Sequence, residues 1–99
     1  MMNDVEVDQA FWERADAVIA VANTQCKDTS VGQVGLSTLY AAARFSAFNV
    51  AHASSGVADM KSAVDEAVAY FTKQFREMFV ENLDDYIENF DDYSGHQSR

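Results

Sequence analysis

Apolar residues recur every three or four positions along most of this chain, which is the spacing of one face of an α-helix. The first such stripe is preceded by Asp8, a residue type that favours the N-cap position because its carboxylate accepts from the free N–H groups of the first turn. The stripe comprises Phe11, Ala15, Val18, Ile19, Ala22 and Cys26. The pattern predicts a first helix from about residue 8 to about residue 28.

A second helix is predicted to begin after Ser30, which together with Gln33 fits the capping box, and to end near Ser54. Its predicted core stripe is Leu36, Leu39, Tyr40, Ala43, Ala47 and Val50. Phe45 and Phe48 lie off that stripe, so the helix is apolar on more than one side. A central helix that contacts two neighbours has this character.

The third apolar repeat begins at Val57, after Gly56, which we predict in a left-handed turn. It continues through Met60, Val64, Ala67, Phe71, Phe75 and Met78, and then through Leu83, Ile87 and Phe90. No glycine or proline interrupts residues 57–93, so one long helix of roughly 50 Å is predicted. The fold class is therefore all-α, a three-helix up-down-up bundle with a long third helix that outreaches the first.

The composition agrees with a single helical domain over residues 1–99, with residues 1–7 and 94–99 expected to fray. The chain has 99 residues, 48% of them hydrophobic, with no proline and only four glycines. That apolar content is enough for one core, and the near absence of turn residues disfavours an all-β fold.

The charge balance limits the classes of binding partner, because 16 acidic residues and 7 basic ones give a net charge of −9. Such a chain repels phosphate backbones and anionic lipid, so neither nucleic-acid nor membrane binding is expected. We find no secretory signal and no apolar run near the ~20 residues that span a bilayer. Cys26 is the single cysteine, which fits a reducing compartment, and a cytoplasmic location is expected.

Catalytic and metal-binding patterns are missing from the sequence, so we expect a non-enzymatic protein without cofactor or metal. The two histidines, His52 and His96, do not form a metal-ligand spacing with each other or with a cysteine. Cys26 falls on the core stripe of the first helix, where a thiol is inert.

Arg44 stands out because it is the only basic residue between Lys27 and Lys61, within a very apolar helix. If buried, it needs a carboxylate, for which Asp16 and Asp65 are candidates. A ligand site for a small anion would combine Arg44 with Tyr40, Asp16, Asn23 and Asn49. A structural ion pair, or an arginine whose stem lies along the apolar surface, is the simpler interpretation.

The C-terminal segment is the second candidate surface. Its acidic residues, Glu81, Asp84, Asp85, Glu88 and Asp92, are predicted on one face of the helix, opposite the apolar side. The predicted interface residues are Phe79, Leu83, Tyr86, Ile87 and Phe90. Either a second copy of the chain or the protein's own bundle would cover this apolar side, and both alternatives stay open.

Several stretches together resemble a small family of uncharacterised bacterial helical proteins, known only as a domain of unknown function. They are FWERADAVIAVAN at 11–23, LYAAARFSAF at 39–48, AYFTKQFREM at 69–78 and ENLDDY at 81–86. The resemblance covers about residues 11–86 and implies a bacterial, cytosolic, helical protein, but no activity and no site residue.

The leading functional hypothesis is a homodimeric interaction or regulatory protein that presents its acidic face to a basic protein partner. The alternative is a small-anion or small-molecule binding protein with a pocket around Arg44. A nucleic-acid mimic, with carboxylates spaced like phosphates, is a minor alternative.

Overall fold

A computed structural model describes residues 7–93 of the chain, and every regular element in that range is an α-helix. The helices are α1 (Gln9–Gln25), α2 (Val31–Ala53), α3 (Val57–Ser62), α4 (Val64–Glu88) and α5 (Phe90–Tyr93). The predicted all-α class is confirmed. The termini predicted to fray lie almost entirely outside the described residues, and the up-down-up order stays a prediction.

The first two helices begin where their capping residues predict. The Asp8 carboxylate accepts from the Phe11 N–H at 2.9 Å, at the N-cap of α1. The Ser30 Oγ accepts from the Gln33 N–H at 3.1 Å, immediately before α2. Each bond satisfies one of the N–H groups that the first turn of a helix leaves without a partner.

The chain divides into two units, and the boundary lies inside α2, between Leu39 and Tyr40. The first unit contains α1 and the beginning of α2. The α1 stripe is largely confirmed, because Phe11, Ala15, Ile19, Ala22 and Cys26 are half-buried. Its remaining member, Val18, is 62% exposed.

The second unit contains the end of α2 with α3, α4 and α5, and its buried apolar residues are Val50 and Ala67. The predicted α2 core stripe is wrong for most of its members, because only Val50 is buried while Leu36, Leu39, Tyr40, Ala43 and Ala47 are exposed. Val34, which was not on that stripe, is buried in the first unit. A helix that is apolar all round offers no periodic signal for the face that turns inward.

The predicted single helix over residues 57–93 is also corrected, because it is interrupted at Ala63 and Asn89. At the first interruption the Ser62 hydroxyl donates to the Asp59 carbonyl at 2.8 Å. The Ala63 N–H, which would bond to that carbonyl in a continuous helix, donates to the Met60 carbonyl. At the second, the Asn89 side chain donates to the Asp85 carbonyl at 3.1 Å. The Ser62 side chain thus competes with a helical hydrogen bond, whereas Asn89 keeps its own N–H bond to the Asp85 carbonyl and leaves helical geometry with a φ of −111° and a ψ of 29°.

The turn before α3 differs from the prediction as well. Gly56 has a φ of 174° and a ψ of −176°, which is extended backbone and not the predicted left-handed turn. The carboxylate of Asp59 reaches back and accepts from the Ser55 N–H at 2.8 Å. The start of α3 is therefore stabilised by a side chain from its own first turn, and not by the conformation of the glycine.

Candidate functional site

One side of α4 carries a row of exposed apolar side chains, which we call the α4 apolar face. It consists of Val68, Phe75, Phe79, Leu83 and Ile87, which are 60%, 50%, 52%, 45% and 72% exposed. At 100° per residue these five positions fall within about 120° of the helix circumference. Of the half-buried and buried residues of the same helix, Ala67, Tyr70 and Gln74 lie on another side, whereas Phe71 lies beside the face and Tyr86 within its arc.

The centre of this face is aromatic. The rings of Phe75 and Phe79, one turn apart, have centroids 5.5 Å apart with planes tilted by 32°. Such a ring pair presents a large apolar area whose members are already in contact, so little side-chain freedom is lost when another surface covers it.

Three of the five predicted interface residues, Phe79, Leu83 and Ile87, lie on the α4 apolar face. Tyr86 is half-buried and falls within the same arc of the helix, and Phe90 belongs to α5, beyond the interruption at Asn89, where it is 65% exposed. The structure therefore extends the predicted surface toward the N-terminus of α4, and Val68 and Phe75 join it. The four-residue spacing from Phe75 to Ile87 was the available sequence signal for that extension.

The acidic residues in the C-terminal half of α4 lie away from the apolar face. Glu81, Asp84, Asp85 and Glu88 are exposed, and helix geometry places them 140–240° around the axis from Phe79. Asp92 is exposed in α5. The Asp85 carboxylate accepts from the Asn89 amide at 3.0 Å, so it also supports the end of α4. The C-terminal half of α4 thus has one apolar and one acidic side.

The residues proposed around Arg44 are distributed over both units. Tyr40 and Arg44 are exposed and lie one turn apart on α2, so they share a side of that helix. Asn49 is half-buried, and five positions from Arg44 correspond to about 140° around the helix. Asp16 and Asn23, seven positions apart, lie on one side of α1 in the first unit.

A short aromatic ladder lies on α2 near Arg44. The ring centroids of Phe45 and Phe48 are 5.8 Å apart, and Phe48 and His52 are 5.9 Å apart with nearly parallel planes. Phe45 and Phe48 are 69% and 58% exposed. Helix geometry places this ladder opposite the buried Val50, so the end of α2 turns one apolar side inward and leaves the other exposed.

Residues 7–93 hold no group of three or more His, Cys, Asp or Glu side chains arranged to bind a metal ion. A shallow, open depression lies at the junction of α4 and α5, lined by residues 87–92, and it does not enclose a ligand. Within the described range, no helix is both long enough and apolar enough to cross a membrane.

These features define a small all-α protein with an exposed helix, α4, that has one apolar and one acidic side. By its sequence the chain belongs to a specific family within that class, because residues 11–87 match the family described as Protein of unknown function (DUF3144). This match confirms the resemblance seen in the sequence. No curated protein and no solved structure matches the chain.

Proposed function

We propose that the protein is a non-enzymatic homodimeric interaction protein whose two copies associate through the α4 apolar face. The observation that supports this proposal is the exposure of five apolar side chains, between 45% and 72%, along one side of one helix. Contiguous apolar surface of this kind is costly in water and is typical of interaction sites. A helix side with this character is normally covered by another element.

The exposed area is large enough for a dimer. A half-exposed phenylalanine or aliphatic side chain presents about 100 Å² to water, so the five residues offer about 500 Å² per copy. Two copies would then bury about 1,000 Å², which is the lower bound for a specific protein interface. The neighbouring apolar residues Val64 and Val80, 50% and 44% exposed, would add to that area.

The acidic side of α4 supports a second feature of the proposal, a basic protein partner. Glu81, Asp84 and Glu88 remain on the side away from the apolar face, so dimerisation would leave them accessible. Opposite charge on a partner surface would accelerate its association and select it over acidic proteins.

The substitution Leu83→Asp tests the dimer. We expect the wild-type chain to have a mass near twice 11.0 kDa by light scattering, and the variant to have the monomer mass with most of its helicity retained. The physical reason is that association would bury a carboxylate in each copy without a partner. Circular dichroism of both proteins checks the helicity.

Val57→Asp is the matched control, because Val57 is 73% exposed in α3 and lies outside the α4 apolar face. It should keep the dimer mass. The interface is wrong if Leu83→Asp also keeps that mass, and the dimer is wrong if the wild-type chain is a monomer at every concentration tested.

The second candidate is a small-anion site at Arg44, and the shared exposed side of Tyr40 and Arg44 favours it. A guanidinium and a phenol one turn apart can both donate to one anion. Titration with inorganic phosphate, followed by the backbone amide NMR signals of α2, should then show saturable binding that Arg44→Met abolishes. Arg14→Met, an exposed arginine on α1, is the control. Equal phosphate binding by both variants would remove Arg44 from any such site.

A further inference from the structure

Four side chains of α2 follow one another at four-residue intervals, and we call them the α2 row: Tyr40, Arg44, Phe48 and His52. The row is about 18 Å long, because each interval rises about 6 Å along the helix. All four side chains are exposed, Tyr40 by 67% and Phe48 by 58%. Residues four positions apart form the ridges by which one helix packs against another, so the α2 row has the form of a helix-packing surface.

The α2 row lies on the side of the helix that its own unit leaves uncovered. Val50, which is buried in that unit, lies 160° around the helix from Phe48. Phe45 adjoins the row and is 69% exposed, and its ring already contacts that of Phe48. The three aromatic side chains of this surface together present about 400 Å² to water. The surface is on a different helix from the α4 apolar face, so the two can be changed independently.

The charge of α2 is unlike that of the rest of the chain. The protein has 16 acidic residues, but none of them lies in α2, whose residues 31–53 include Arg44 and His52. Its own helix therefore offers Arg44 no carboxylate, and the exposed guanidinium lies between the two aromatic side chains of Tyr40 and Phe48. Burying an unpaired charge costs several kcal/mol. A surface that covers the row is therefore favoured if it brings a carboxylate to Arg44.

We propose that the α2 row binds an acidic amphipathic helix of another protein. Apolar side chains of that helix would pack on Tyr40, Phe45 and Phe48, and one of its carboxylates would accept from Arg44. A second copy of α2 has no carboxylate to supply. The two surfaces together would bury about 800 Å², which is typical of weak, transient complexes.

This inference goes beyond the proposed homodimer and does not depend on it. It shares Arg44 with the small-anion candidate, but it assigns the anion to a protein carboxylate that is held in place by apolar contacts. The aromatic side chains are therefore essential to this proposal, whereas Phe48 has no part in the binding of free phosphate.

The probe for the test is a synthetic helical peptide of about 20 residues, long enough to span the row, with leucines along one side and glutamates beside them. A neutral version carries glutamine in place of every glutamate. Binding of the labelled peptides to the full-length protein is measured by fluorescence anisotropy at about 0.15 M salt. Charges more than about 8 Å apart are screened there, so the net charge of −9 has little effect on the contact at Arg44.

We expect saturable binding of the acidic peptide that Arg44→Glu weakens about tenfold or more and Phe48→Ser weakens about fivefold or more. Arg44→Glu should affect the neutral peptide by less than about twofold, because the lost contact is with a carboxylate and not with the leucines. That comparison distinguishes a lost charge contact from a misfolded variant. The matched controls are Arg14→Glu, which changes the net charge equally on α1, and Val57→Ser, which removes an exposed apolar side chain from α3. Both should bind like the wild type.

The outcomes separate this proposal from the others. Absence of saturable binding, or equal binding by Arg44→Glu, Phe48→Ser and the wild type, would overturn the docking surface. Phosphate binding at Arg44 without binding of the acidic peptide would also overturn it and leave the small-anion site. If Phe48→Ser converts a wild-type dimer to the monomer mass, a second copy covers the row and the proposal is wrong. Peptide binding through the row by a monomeric wild-type chain would support the docking surface and overturn the homodimer.

Discussion

At the scale of single residues, short polar side chains decide where the helices begin and end. Asp8 and Ser30 cap α1 and α2 as predicted, and both bonds connect a side-chain oxygen to the N–H three residues later. These contacts are local, so their residue type and spacing are visible in the sequence. Arg44 is different, because its exposure depends on which side of α2 faces the rest of the protein, and local spacing carries no such information.

The Asp8 cap leads to a prediction about stability. Asp8→Ala removes the acceptor for the Phe11 N–H and should lower the free energy of unfolding by about 1 kcal/mol, as measured by urea denaturation at fixed protein concentration. Glu13→Ala, an exposed acidic residue inside α1, should change it by less than about 0.5 kcal/mol. Equal effects of the two substitutions would contradict a capping role.

At the scale of elements, the sequence identifies the helices but misses the interruptions between residues 57 and 93. Glycine and proline are the usual signals of a helix end, and neither occurs there. At the first interruption the Ser62 side chain bonds to the Asp59 carbonyl. The bond from the Asn89 side chain to the carbonyl four residues earlier also occurs at Asn82, inside the uninterrupted α4, so residue type and local bonding do not mark the second interruption. Serines elsewhere in α2, such as Ser37, leave that helix continuous.

The interruption at Ala63 can be tested with Ser62→Ala. Without the hydroxyl, the Asp59 carbonyl can accept from the Ala63 N–H, so α3 and α4 should join into one helix. Hydrogen exchange of the Ala63 amide should slow, and carbon chemical shifts at residues 62–64 should become fully helical. Ser37→Ala should change neither observable at those residues. Unchanged exchange at Ala63 would mean that packing, and not the hydroxyl, interrupts the helix.

At the scale of the whole molecule, the distribution of apolar surface is the main feature. Among the described residues, the buried apolar ones are Val34, Val50 and Ala67, while twenty large apolar side chains are exposed. Folding is stabilised mostly by burying such side chains, so a chain with this pattern gains much from a second copy. The net charge of −9 opposes association, so the burial of apolar surface has to outweigh that repulsion in the proposed dimer.

The sequence by itself determined the helical class, the beginnings of α1 and α2, the α1 stripe and most of the residues of the α4 apolar face. All of these depend on residue type and on spacing within one helix, which are properties of the chain alone. Only the tertiary structure decided that Leu36 and Leu39 are exposed while Val34 is buried, and that Arg44 faces solvent. Burial depends on which side of a helix packs against another helix. A helix that is apolar all round, such as α2, would bury similar apolar area in several orientations, so its sequence does not select one of them.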